Sequence, residues 1–440
     1  MILLKNFINI FYVPELRRKL IFTLGILVIH RLGNHIPVIG INIDKLAQLM
    51  EQGTGLGGLF SYLDLFSGGS LSQGMLFALG ISPYITASIM MQVLTLSVPY
   101  LEQLRKDGEH GRKTINQYTR YLSVIVALFQ SFGIAMLVER YDLVVQPGFA
   151  FRLMFMLSVT VASLFVMWLG EQIELYGIGN GSSMIIFAGI VSRFPDDILR
   201  TIGAVQQGYI DPLVAILLLA IFITIAACIV FLERGERKVP VQNTRRVAGQ
   251  RVFGGQSSYI PFKVNTAGVM PVIFASAALN IPIFLFSFLA MRFDVFKVVS
   301  ESLAYGGALY SVLDFILIVV FSFMCSALFL DPEELADNLK KGGAFIPGIR
   351  PGKKTAEFFN YVLTRLGLVG AAYLGTLALL PAIVHNLLSM PFYLSSLSGT
   401  AMLIVVGVAL DSSAQMESYL IEHRYEGFLS TGQLKGRRSS

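Results

Sequence analysis

The sequence predicts an all-α polytopic membrane protein with ten transmembrane helices. Three observations carry that prediction. Ten apolar runs punctuate the chain, and nearly all have the ~17–25 residues that a helix needs to cross ~30 Å of hydrocarbon. Charged residues make up only 14% of the 440 positions, where a soluble domain carries ~25%. Lysine and arginine concentrate in alternate connections between the runs, the pattern that fixes topology in a bilayer.

The runs lie near residues 20–37, 70–97, 121–138, 151–170 and 183–197, then near 212–232, 264–290, 308–330, 366–385 and 397–416. The first carries His30 and Arg31 towards its outer end. The second contains Gly80-Ile-Ser-Pro83-Tyr-Ile85 and the third Gln130. The fifth opens on Gly177-Ile-Gly-Asn-Gly181. Cys228 lies in the sixth run and Cys325 in the eighth, so the only two cysteines give neither a disulfide framework nor zinc spacing. The seventh contains Gly268-Val-Met-Pro271-Val-Ile273, the eighth Asp314 and the tenth Asp411. The start, MILLKNFINIFYVPELRRKL, lacks a small-residue cleavage site, so no removable signal peptide is expected.

Ten crossings put both termini on one side. Of the 34 lysines and arginines, 26 fall on that side, which predicts cytoplasmic termini. The two G-x-x-P-x-I motifs occupy the second span of each half, 1–205 and 206–440. Five spans per half is an odd number, so the halves would form an inverted repeat.

The segment 55–70, GLGGLFSYLDLFSGGS, is too short and too interrupted by glycine to cross the membrane. Its centre, 59–66, has the length of a short amphipathic helix with glycine hinges, and a re-entrant element is expected. The connection 331–355 is polar and rich in glycine and proline. Asp331 is expected to cap a helix with Pro332 at its first position, acids in its first turn, Lys340 and Lys341 in its last, and Gly342 at its end. Beyond it, two Pro-Gly pairs lift Arg350 onto a loop tip.

Ionisable residues are nearly absent from the apolar runs, which disfavours an ion-coupled transporter. Gly348-Ile-Arg-Pro-Gly352-Lys-Lys-Thr has three residues between its glycines and is not a P-loop. The 177–181 glycines follow no strand and read as a turn. No catalytic, metal or cofactor-binding residues are expected.

A set of ordered motifs narrows the reading further: Leu65-Phe-Ser-Gly-Gly69, Phe77-Ala-Leu-Gly-Ile81 with Pro83-Tyr-Ile85, Gln117-Tyr-Thr-Arg-Tyr121, Met167-Trp-Leu-Gly-Glu-Gln172, Gly177-Ile-Gly-Asn-Gly181, Lys263-Val-Asn265, Ala336-Asp-Asn-Leu-Lys-Lys341 and Gly348-Ile-Arg-Pro-Gly352. With these the chain resembles the SecY/Sec61-alpha family of pore subunits across essentially its whole length. The resemblance implies two five-helix halves around an hourglass pore in the bacterial inner membrane. It implies a protein-conducting channel that translocates unfolded polypeptides and releases apolar segments sideways into the lipid bilayer, without enzymatic chemistry. Its aliphatic waist would fall on Ile81, Ile85, Ile186, Ile273 and Ile404, with Ser182 where the family often has a sixth isoleucine. The plug would be Leu59, Phe60, Ser61, Tyr62, Leu63, Asp64, Leu65, Phe66, Ser67, Gly68 and Gly69. Thr86, Gln130 and Asn265 would latch the lateral gate. The cytosolic loops 233–263 and 331–365 would dock partners through Arg350, Arg251, Arg245, Arg246, Lys340 and Lys341, although Gln250 stands where many relatives have arginine. The implied partners are the small membrane subunits SecE and SecG, the SecA motor, the ribosome and its RNA, and signal sequences with their nascent chains. An inverted-repeat secondary transporter is the alternative, and a scaffold that never opens is a third reading.

Overall fold

Glycine and proline decide where most of the helices begin. A computed structural model describes residues 13–43, 45–46, 67–71, 73–208, 211–243, 246–248, 251–253, 257–290, 295–303, 307–329, 331–388 and 399–431. Helices α1 (Pro14–Gly33), α2 (Ser82–Ser97), α3 (Pro99–Lys106), α4 (Glu109–Arg140), α5 (Phe149–Tyr176), α6 (Gly181–Val191), α7 (Phe194–Gln206) and α8 (Pro212–Glu233) come first. Strands β1 (Glu236–Asn243), β2 (Arg246–Ala248), β3 (Arg251–Phe253) and β4 (Ser257–Lys263) follow. Then come α9 (Met270–Ala290), α10 (Val295–Ser302), α11 (Ala308–Phe329), α12 (Pro332–Lys341), β5 (Ala344–Phe345), α13 (Lys353–Leu388) and α14 (Gly399–Thr431). Proline stands in the first turn of α1, α2, α3, α8 and α12, where its missing N–H costs no helical bond.

Each of the ten predicted runs contains a helix. Among the described residues, six helices are long and apolar enough to span a membrane: α4, α5, α8, α11, α13 and α14. The pair α2–α3 also passes as a unit but bends by 98°, which allows up to seven. Two runs are not continuous helices. The second does not become helical until Ser82. Residues 68–71 and 73–81 are mostly turns, with left-handed glycines at 68, 69, 74 and 80 that an apolar average cannot register. The fifth breaks at Ser192–Arg193, so α6 has 11 residues, about 16 Å at 1.5 Å per residue, half a bilayer.

The chain packs as two compact units. One comprises the described residues of 1–193 and 408–440, the other those of 194–407. In the first unit α4 packs between α2 and α5. The antiparallel α4 and α5 are joined near one end by the Arg120–Glu171 ion pair at 2.6 Å and near the other by Arg152–Glu139. Between these, the Ser131 and Thr160 hydroxyls share a hydrogen bond at 3.2 Å. Two polar ends and one buried polar pair fix the register of two helices whose apolar faces could otherwise slide.

In the second unit α11 packs against α9 and α13, and α12 lies on α13. An antiparallel sheet of order β4-β1-β5 runs from Glu236↔Lys263 to Gln242↔Ser257, with Gln242 and Asn243 also paired to β5. Under it Val239, Val241, Phe262, Ala336, Ile346, Phe359 and Leu363 form a buried core. The sheet was not foreseen, because β1 offers only two inward apolar residues around Pro240 and its partner β5 lies a hundred positions away.

Candidate functional site

Two helix starts share one local geometry. Both α2 and α9 begin two residues after a glycine in the left-handed region, Gly80 at φ +51° and Gly268 at φ +62°. Each carries proline at its second position, Pro83 or Pro271. In each the fourth residue, Ile85 or Ile273, donates its amide to the residue preceding the helix, Ile81 at 3.2 Å and Val269 at 3.3 Å. A β-carbon is strained at such a φ, and proline is free in a first turn, so the glycine and proline of G-x-x-P-x-I are geometric requirements.

A second recurrence escaped the sequence reading. Gly181-Ser-Ser-Met-Ile-Ile186 with Gly189 matches Gly399-Thr-Ala-Met-Leu-Ile404 with Gly407, and each opens a helix. A side chain on Gly181 would strike the backbone of Gly170 in α5. One on Gly399 would strike the carbonyls of Leu377 and Ala378 in α13. In both units a glycine lets the helix press backbone to backbone on a long span. Comparing the fifth spans of the two halves residue by residue would have found it.

The expected waist residues therefore fall at equivalent places: Ile85 with Ile273, and Ile186 with Ile404. Ile81, Ile85 and Ile186 belong to the first unit, and Ile273 and Ile404 to the second. All five are buried, none more than 5% exposed. Within the first unit the Ile81 and Ile185 terminal methyls both lie 3.4 Å from where a Gly170 β-carbon would stand. Ser182 is half-buried.

The expected gate residues differ in their commitments. Asn265 donates to Glu233 Oε1 at 2.6 Å and to the Gly268 carbonyl at 2.8 Å, so both of its amide hydrogens tie the end of α8 to the start of α9. Thr86 Oγ1 and Gln130 Oε1 are buried with no hydrogen-bond partner among the described residues. Of the expected plug, 59–66 lie outside the described residues. Ser67 and Gly68 are buried, and Gly68 and Gly69 have positive φ.

The local structure expected of the connection 331–355 is present. Helix α12 spans Pro332–Lys341 with the Asp331 carboxylate accepting the Glu333 amide at 2.9 Å and Gly342 at its end. Lys340 and Lys341 occupy its last turn. Arg350 is exposed between the left-handed Gly348 and Gly352, and its carbonyl accepts the buried Thr355 hydroxyl at 3.0 Å. Arg246 and Arg251 sit in the β2–β3 hairpin, and Arg245 lies outside the described residues. The 177–181 glycines form a turn, as expected: Gly179 has φ +85° and Asn180 caps α6 by accepting the Ser183 amide at 3.2 Å.

A family model described as SecY matches residues 75–413. The chain is 43% identical over 428 residues to the protein translocase subunit SecY of Escherichia coli (strain K12), covering 96% of each. It is 43% identical over 448 residues to that of Thermus thermophilus, covering 99% of this chain and 100% of the relative. Among solved structures, a protein-conducting channel superposes with a TM-score of 0.65 at 18% identity, over 92% of this chain and 93% of that one. Sec61 from the canine ribosome–channel complex superposes with 0.59 at 18% identity over the same shares. These last two likenesses concern the fold. On the near-complete match at 43% identity, the chain belongs to the SecY family of protein translocase subunits.

Proposed function

We propose that this chain forms the polypeptide-conducting pore of a bacterial Sec translocase, with Ile81, Ile85, Ile186, Ile273 and Ile404 as its constriction. The observation that carries this is the pairing of buried isoleucines at equivalent places behind duplicated glycine-led helix starts. β-Branched aliphatic side chains are stiff and offer a passing peptide no polar handle. A narrow ring of them excludes water and ions by dewetting, yet can part around a chain of any sequence. No covalent step is assigned to the chain, since its relatives are named as translocase subunits.

Around that pore lie two five-span halves, 1–205 and 206–440, inverted with respect to each other, with both termini in the cytoplasm. Residues 59–69 act as the plug. Thr86, Gln130 and Asn265 hold the lateral seam through which apolar segments reach lipid. The platform of β1, β4, β5, α12 and the start of α13 presents Arg350 to the SecA motor or to ribosomal RNA, whose carboxylates and phosphates suit a planar guanidinium. Arg245, Arg246, Arg251, Lys340 and Lys341 add charge to the same docking face. SecE and SecG complete the membrane complex. A Sec61 and a yeast Ssh1 channel, both solved on ribosomes, share the fold and support the ribosome as a partner.

Single-channel conductance of the purified complex in planar bilayers tests the constriction. Replacing Ile85, Ile186, Ile273 and Ile404 together by serine is expected to open a standing ion leak. A multiple variant as tight as the unsubstituted channel would remove these residues from the waist.

A further inference from the structure

We propose that Arg31 is a positioning residue for the plug: its guanidinium pins the plug's stem, residues 67–71, to the end of α6. The inference rests on the plug reading above. Arg31 stands in the last turn of α1, inside an apolar run where a charge is costly unless it is used. Its Nη1 donates to the Gly68 carbonyl at 3.3 Å and to Ser192 Oγ at 3.1 Å. Ser192 Oγ in turn donates to the Gly189 carbonyl at 2.8 Å. One nitrogen therefore joins three segments: the end of α1, the stem, and the residue closing α6.

The stem is shaped to receive that contact. Gly68 has φ +68°, and a β-carbon there would come within 2.8 Å of Gly189 Cα, so the stem backbone lies directly on α6. Asn34, three residues beyond Arg31 and on the same helical side, reaches the Ser67 carbonyl with its amide at 3.5 Å. Two consecutive stem carbonyls are thus taken from one direction. The stem also closes on itself: Ser70 Oγ donates to the Ser67 carbonyl at 2.9 Å, and the Leu71 amide to Ser67 Oγ at 3.3 Å. Ser67, Ser70 and Leu71 are each under 5% exposed. A methionine could fill the volume of Arg31, but only a donor satisfies two acceptors there. Lysine keeps a donor on a shorter reach.

The test uses the full translocase reconstituted in lipid vesicles, carrying Arg31→Met, Arg31→Lys, Ser192→Ala or a deletion of 59–65. Three quantities are followed: hydrogen exchange of residues 67–75, ion leak, and export of a preprotein with a defective signal sequence relative to an intact one. Arg31→Met is expected to speed exchange in 67–75 about ten-fold, the size of one lost charge-assisted hydrogen bond, and to raise both leak and the relative export of the defective preprotein. Arg31→Lys should recover part of each effect, and Ser192→Ala should act in the same direction but less. Unchanged exchange in both Arg31→Met and Ser192→Ala would overturn the anchor, while a leak from the deletion alone would leave the plug reading standing. A loosened stem with unchanged leak and discrimination, in a channel that the deletion also leaves tight, would overturn the positioning role together with the plug reading.

Discussion

Replacing Phe359 by alanine should melt the platform of β1, β4, β5, α12 and the start of α13 without unfolding the membrane helices. Phe359 is fully buried in the first turns of α13, its ring centroid 5.4 Å from that of Phe262 on β4. It touches the same small core as Val239, Val241, Ala336 and Ile346, which belong to β1, to α12 and to the residue after β5. Truncating a buried phenylalanine costs roughly 3–5 kcal/mol. A core of seven buried residues has little reserve against such a loss, because each fully buried apolar side chain contributes only ~1.5–3 kcal/mol before ordering costs. The α13 residues further along pack on α11 and are not part of this core, so the opening should stay local. The open population should rise by roughly two to three and a half orders of magnitude, taking 1.4 kcal/mol as tenfold, and proteolysis of the open form follows that population. The assay is limited proteolysis of the complex in vesicles, read at loops 233–263 and 331–352, beside motor-driven export of a preprotein. Tyr361→Ala is the control: its ring is exposed and stacks on the Arg365 guanidinium, 4.3 Å from the ring centroid, a contact worth ~0.5–1 kcal/mol. Equal protease resistance in the two variants would refute the claim that this core holds the docking loops.

Two further outcomes follow from the same geometry. Arg350→Lys keeps the charge on the loop tip but loses the planar fork, so membrane insertion and assembly should be normal while motor-driven export falls sharply, and normal export at matched channel content would return Arg350 to a topology role. Asn265→Leu removes one donor from Glu233 and one from the Gly268 carbonyl, where a hydrogen bond to a charged group is worth about 1.5–3 kcal/mol. It should shift the acceptance of weak signal sequences, and unchanged selectivity would take Asn265 out of the gate.

What could be read in advance was whatever depended on neighbours in sequence. Helix α12 was legible to the residue, because Asp331, Pro332, the early acids, the late lysines and Gly342 all act within one or two turns. Hydropathy located the helices but not their ends. The third run was expected from 121 and the ninth from 366, yet α4 begins at Glu109 and α13 at Lys353. Hydropathy reports which turns suit lipid, whereas a helix continues as long as its backbone bonds are satisfied. In α13 the extra turns carry Phe359 and Leu363, which are buried in a core shared with Val239, Val241 and Phe262 of β1 and β4, more than 90 positions earlier.

The same distinction explains what was missed at the candidate site. Gly80 and Gly268 were seen because their prolines stand three residues away, but the Gly181 and Gly399 pair has no proline to mark it. Its constraint is the backbone of another helix, Gly170 in one unit and Leu377 with Ala378 in the other. Arg31 was visible only as a charge in an apolar run. Its acceptors lie 37 and 161 positions away, so nothing local distinguishes a tether from a residue at the lipid interface. Asn265 shows the converse. Expected as a gate latch, it spends both amide hydrogens on a turn of its own unit. Any latch it makes must use its carbonyl oxygen, so a partner across the seam has to be a donor. Thr86 can meet that requirement with its hydroxyl and Gln130 with its amide nitrogen, whereas the glutamine carbonyl that lacks a partner among the described residues cannot.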